Sequence, residues 1–194
     1  MAFMWPTLSP ADEARPSLPA LYQVSDVAED DVLNIRAAPD ASSSILGSFS
    51  HDARDIEVVE LSLSGRWARV NIAEQSGWVS LRFLKLQRVE TGFAGLPASL
   101  TCFGTEPFWD MQLTDQGLVL QQPNGRQTFP ITFTAPGADR VNLGESGFLF
   151  DWDAGEILVR AYILPGRCND GMSDRVYGLH YVDTYLPNAG CCSL

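Results

Sequence analysis

The end of this chain constrains its fold more than any other stretch. Gly190-Cys191-Cys192 sets two cysteines side by side, while the other two, Cys102 and Cys168, lie far upstream. Across a trans peptide the neighbours' Cα atoms are about 3.8 Å apart, below the usual disulfide range of roughly 4.4–6.8 Å. Cys191 and Cys192 are therefore not expected to pair with each other. Both remaining pairings tie the tail back to Cys102 and Cys168, and the sequence leaves open which tail cysteine goes to which. Closing loops of about 24 and about 91 residues would contribute roughly 3.5 and 4.6 kcal/mol, each taken singly, in the chain-entropy account. A metal site and buried free thiols are the competing readings. Structural zinc prefers C-x₂₋₄-C pairs; Cys168 has no such partner, and an adjacent doublet does not easily place both sulfurs on one tetrahedron. Disulfides are expected, with no metal and no cofactor. Oxidised cysteines imply an export compartment, periplasmic or secreted. Yet Met1 to Pro6 lacks the basic and apolar regions of a signal peptide, so a removed leader or a different start is expected.

The rest of the chain reads as all-β. Short apolar runs alternate with turn signals. In the first half the expected strands are 21–25, 32–36, 45–49, 56–63, 67–72, 77–80 and 83–86. Alternation is clear in Trp67-Ala68-Arg69-Val70-Asn71-Ile72, where successive side chains face opposite ways. So many short strands in so few residues suit a small barrel. Residues 87–98 read as a linker or a strand entering a second unit, whose strands are expected at 108–114, 117–122, 128–133, 148–152, 156–163 and 176–186. Asn124-Gly125 and Asp153-Ala154-Gly155 are hairpin signals. Residues 1–19 carry Pro6, Pro10, Pro16 and Pro19 without periodicity and read as an extended or disordered leader. The expected organisation is thus leader 1–19, barrel 20–88 and cysteine-containing β domain 99–194.

Charge narrows the partners. Thirteen basic against 24 acidic residues give a formal charge of −11. Proteins that bind duplex nucleic acid draw affinity from basic groups, so nucleic acid and anionic membrane surfaces are not expected partners. No apolar run reaches the ~18 residues of a membrane span.

Leu33-Asn34-Ile35-Arg36-Ala37-Ala38-Pro39, then Ile45-Leu46-Gly47, Val58-Val59, Gly65-Arg66-Trp67-Ala68-Arg69-Val70 and Ser76-Gly77-Trp78-Val79 follow one another over residues 21–86. In content and order this segment resembles the bacterial SH3 domain family. The resemblance implies a small, partly open β-barrel that docks on peptidoglycan peptides or a protein partner. Its candidate ligand contacts are Arg36, Trp67, Arg69 and Trp78. For the two tryptophans a core position is the competing expectation, because large aromatics in so small a barrel are usually interior.

Cys102-Phe103-Gly104-Thr105-Glu106-Pro107-Phe108-Trp109, Cys168-Asn169-Asp170-Gly171-Met172-Ser173-Asp174 and Gly190-Cys191-Cys192 carry a second resemblance. They are similar to a family of bacterial envelope domains without a settled activity, found in proteins related to small envelope lipoproteins and lysozyme inhibitors. Glu106, Trp109, Asp170, Asp174 and Arg175 are the ligand candidates here. The bland reading of Asp170, Ser173 and Asp174 is a turn that hydrogen-bonds to itself. Asp151-x-Asp153-x-Gly155 reads as a hairpin and not a calcium loop, since Tyr162 stands where that loop needs Glu. His51 lies in a polar turn, and His180 reads as a surface or satisfied core residue. Catalysis is not expected. The expected function is non-catalytic binding at the cell envelope, with inhibition or support of an envelope hydrolase such as lysozyme as the alternative.

Overall fold

A computed structural model describes residues 17–134, 147–186 and 189–194. The first sixteen residues of the expected leader lie outside them. Its last three, Ser17–Pro19, are seated: Leu18 packs on the first core, and Pro19 is buried.

The first half forms β1 (Ala20–Val24), β2 (Val32–Arg36), β3 (Ile45–Ser50), β4 (Ile56–Val58), β5 (Glu60–Leu61), β6 (Trp67–Ile72), β7 (Gln75–Ser80) and β8 (Leu84–Leu86). They make two small antiparallel sheets, β4-β1-β8 and β3-β2-β7-β6-β5. The expected single strand 56–63 divides at Val59. β4 pairs with β1 in one sheet and β5 with β6 in the other, while the Val59 N–H donates to the Arg69 carbonyl at 3.0 Å. Val58 and Val59 are both buried, a break in the two-residue period that lets the chain change sheets. The core comprises Tyr22, Val24, Leu33, Ile35, Ile56, Val58, Ala68, Val70, Val79 and Leu84. Trp67 and Trp78 are absent from it. Each alternates with a core residue, Ala68 or Val79, so it points outward and is half-buried. This corrects the expectation that both are interior.

The second half forms β9 (Thr101–Thr105), β10 (Phe108–Thr114), β11 (Gly117–Gln122), β12 (Gly125–Phe129), β13 (Ile131–Thr134), β14 (Phe148–Asp153), β15 (Leu158–Cys168), β16 (Tyr177–Asp183) and β17 (Gly190–Ser193). Among the described residues these make one antiparallel sheet, ordered β12-β11-β10-β9-β17-β16-β15-β14-β13. Its two edge strands are separated in sequence by Pro130 alone, so the sheet must curl until its edges meet. Pro130 breaks the expected strand 128–133 because it has no N–H for a ladder, and its carbonyl accepts the Asp153 N–H at 2.9 Å. The interior of this near-barrel is packed by Trp109, Met111, Phe150, Trp152, Ile163, Tyr181 and their neighbours. At the β11–β12 hairpin the connecting residues are Pro123 and Asn124, because Gln122 pairs with Gly125; Gly125 supplies the positive φ, 137°.

The disulfides are Cys102–Cys192 and Cys168–Cys191. β17 pairs with β9 so that Cys192 lies directly opposite Cys102, with Cα atoms 3.9 Å apart. Alternation along β17 sends its two cysteines to opposite faces. Cys192 joins the barrel interior, and Cys191 meets Cys168, Tyr177 and Phe103 on the outside. No free cysteine remains. Oxidation of all four places the chain in an oxidising, extracytoplasmic compartment. Among the described residues no helix is long and apolar enough to cross a membrane.

The two halves are joined by hydrogen bonds. The Asn71 side-chain amide donates to the Val176 carbonyl at 2.9 Å and accepts the Val176 N–H at 3.0 Å. The Asp174 N–H donates to the Glu74 carbonyl at 2.8 Å. Gly178 lies against Pro19, leaving no room for a Cβ. Between the halves, residues 87–98 fold into a compact turn closed by the Ala98 N–H on the Glu90 carbonyl, and Leu96 and Leu100 anchor it in the second core.

Candidate functional site

The four candidates in the first half share one outer sheet face. Register sets Arg36 opposite Trp78, Trp78 opposite Arg69 and Arg69 opposite Glu60. Trp67 stands two residues from Arg69 on β6, so its side chain emerges on the same side. Arg69 is fully engaged. Its Nη1 pairs with Glu60 at 3.3 Å, Nε and Nη2 donate to Ser76 Oγ at 3.1 and 2.9 Å, and the guanidinium lies 5.5 Å from the Trp78 ring centroid. It positions Trp78 more than it offers donors to a ligand. Arg36 donates one Nη1 bond to the Ser43 carbonyl at 2.8 Å.

Beside this row lies a groove of about 580 Å³ whose walls include Asp26, Asp31, Arg36, Trp67, Arg82 and Phe83. Two carboxylates and two guanidiniums thus meet around two aromatic rings. None of the four charges enters an ion pair among the described residues. Arg82 lies over Phe83 at 4.6 Å, and Asp26 occupies the left-handed region at φ 58° in the loop after β1. Of these walls the sequence points to Arg36 and Trp67 and not to Asp26, Asp31, Arg82 or Phe83. The acidic run Glu29-Asp30-Asp31 was the available signal for that wall.

In the second half the structure brings together the two motif loops, at 105–108 and 168–175. The Thr105 hydroxyl donates to the Asp170 carbonyl at 2.9 Å. The Asp170 carboxylate is spent on its own turn, accepting the Met172 and Ser173 N–H groups at 2.9 and 2.8 Å and the Ser173 hydroxyl at 2.7 Å. Burial alone would raise its pKa, but these bonds and the Tyr177 hydroxyl hold it below the usual carboxylate range. Asp174 contributes its backbone to the join with Glu74. Arg175 lies 5.5 Å from the Tyr177 ring centroid, with its Nε buried and lacking a hydrogen-bond partner among the described residues. Trp109 is interior, 3% exposed and edge-on to Tyr181, so it serves the core first and offers little surface to a ligand. Glu106 stands at the hairpin tip beside Pro107, across a cis peptide bond. His180 is half-buried on the outer face opposite Leu164. Comparison of the chain with family models, with curated proteins and with solved structures yields no match.

Proposed function

We propose that this is a non-catalytic binding protein of the cell envelope, periplasmic or secreted, whose first half is an SH3-like barrel of the bacterial type. The barrel docks a peptide, either a peptidoglycan stem or a segment of an envelope protein, in the groove beside Trp67. The observation that carries the reading is the groove itself, in which charges of both signs flank two half-buried aromatic rings without pairing with one another. Stem peptides present free carboxylates and amines on short aliphatic side chains, the complement of such walls. Oxidation of every cysteine removes the thiolate that a Cys–His nucleophile would need, which favours binding over catalysis. The test is co-sedimentation with purified peptidoglycan. Retention should fall sharply for Trp67→Ala and partly for Arg36→Met. Equal retention of all three proteins, or none for the parent, would overturn docking on peptidoglycan at this groove.

A second reading, inhibition of an envelope hydrolase such as lysozyme, draws on the apposition of the two motif loops in the second half. Undiminished lysozyme activity in the presence of excess protein would remove it for that enzyme.

A further inference from the structure

A separate cavity of about 520 Å³ opens where the halves meet. Its walls include Glu74 from the β6–β7 turn, Phe108 and Asp110 from β10, Gln121 from β11 and Met172 from the 168–175 loop. The second half supplies most of the wall, and the first adds Glu74. Phe108 and Met172 are 57% and 65% exposed, a large apolar surface to leave open to water. The carboxylates of Glu74 and Asp110 form no ion pair among the described residues, and no basic residue lines the cavity. The Asp170 carboxylate nearby is already saturated by its own turn.

Exposed aromatic and thioether surface beside two carboxylates fits a cation with an apolar stem and a flat head. An arginine side chain meets both demands. Its methylenes cover apolar surface, its guanidinium stacks on an aromatic face, and its fork matches a carboxylate. We propose that this seam cavity docks an arginine side chain presented by a segment of a basic partner protein. The chain's formal charge of −11 would draw such a partner in. The site is distinct from the Trp67 groove, and the proposal holds for any basic partner, enzymatic or not.

The probe is a capped pentapeptide, Gly-Phe-Arg-Phe-Gly, titrated into isotopically labelled full-length protein and followed by amide chemical shifts. Its control carries citrulline, which has the same shape without charge, in place of arginine. Shifts are expected at Phe108, Asp110, Gln121 and Met172. Binding should weaken about fivefold with citrulline, and similarly for Glu74→Gln/Asp110→Asn, as loss of roughly 1 kcal/mol of rim charge pairing predicts. Both substitutions are isosteric and exposed, and an unchanged amide spectrum away from the cavity verifies the fold. Equal binding of the citrulline peptide, an unaffected double variant, or no shift at millimolar peptide would each overturn the proposal. Shifts confined to Trp67 and Arg82 would also overturn it while leaving the peptide-groove reading intact.

Discussion

Glu57 lies on β4 at the join between the halves, where its Oε1 accepts the Leu194 N–H at 3.1 Å. Desolvation pushes its carboxyl from the ordinary 4.5 up to about 7, against the opposing effects of that hydrogen bond and of the Arg175 charge. Between those two values the folded protein holds a proton that the unfolded chain has released. Stability therefore falls as pH rises through this window; the contribution is whole below 4.5 and lost above about 7. At 1.36 kcal/mol per unit the gap amounts to about 3 kcal/mol, reduced to about 2 kcal/mol because the residue is only half-buried. Glu57→Gln keeps the acceptor oxygen and removes the titration. Urea unfolding of both proteins at about pH 5 and about pH 8, with disulfides intact, reads the difference. The variant should match the parent at the lower pH within the effect of the substitution itself, then gain about 2 kcal/mol on it at the higher. A difference that does not change with pH, or one that moves the other way, would refute the reasoning.

Other outcomes follow from the same geometry. Replacing the Cys102–Cys192 pair with serines should cost more than replacing Cys168–Cys191, about 4.6 against 3.5 kcal/mol before native-state relaxation, because its loop is longer; urea midpoints check the order. Asn71→Ala removes both side-chain bonds to Val176 and should cost about 1–3 kcal/mol, with hydrogen exchange rising at Val176 and Asp174. Gly104→Ala would drive a Cβ into the Trp109 indole at Nε1 and Cε2, costing about 1–3 kcal/mol by overpacking, with loss of near-ultraviolet dichroism as the sign. Arg160 forks onto Asp151 with two bonds of 2.9 Å, and its hydrogen bond holds that carboxyl low against the upward pull of burial. Arg160→Met should therefore lower the urea midpoint near neutral pH, and the gap should close as acid protonates Asp151.

Alternating strands were legible in the sequence wherever side-chain size and period agreed. Leu33 and Ile35 point inward on β2 as their spacing requires. Trp67 and Trp78 show what happens when the two cues conflict. Bulk suggested an interior position, but the interior between these two small sheets is filled by Ala68, Val70 and Val79 on the alternate positions, so the larger neighbours had to face out. β17 escaped detection because Gly, Cys and Ser give little strand signal, and β9 because Cys102 and Gly104 interrupt its Thr101, Phe103 and Thr105; their conformation is held by the ladders on either side and by the sulfur bridges. Half of the groove was hidden for a different reason. Arg36 and Trp67 stand on strands, where register could be inferred, whereas Asp26, Asp31 and Arg82 reach it from connecting segments that only the packing of the two small sheets brings near. The pairing of the cysteines was open for want of a face assignment, which required knowing that Gly190–Ser193 is extended.

That four-residue tail strand works as a keyed plug. The first sulfur is addressed outward and the next inward, so sliding the strand by a single residue along its neighbours would turn both sulfurs away from their mates. Inserting one residue between Cys191 and Cys192 would aim both at the same side, leaving either Cys102 or Cys168 stranded.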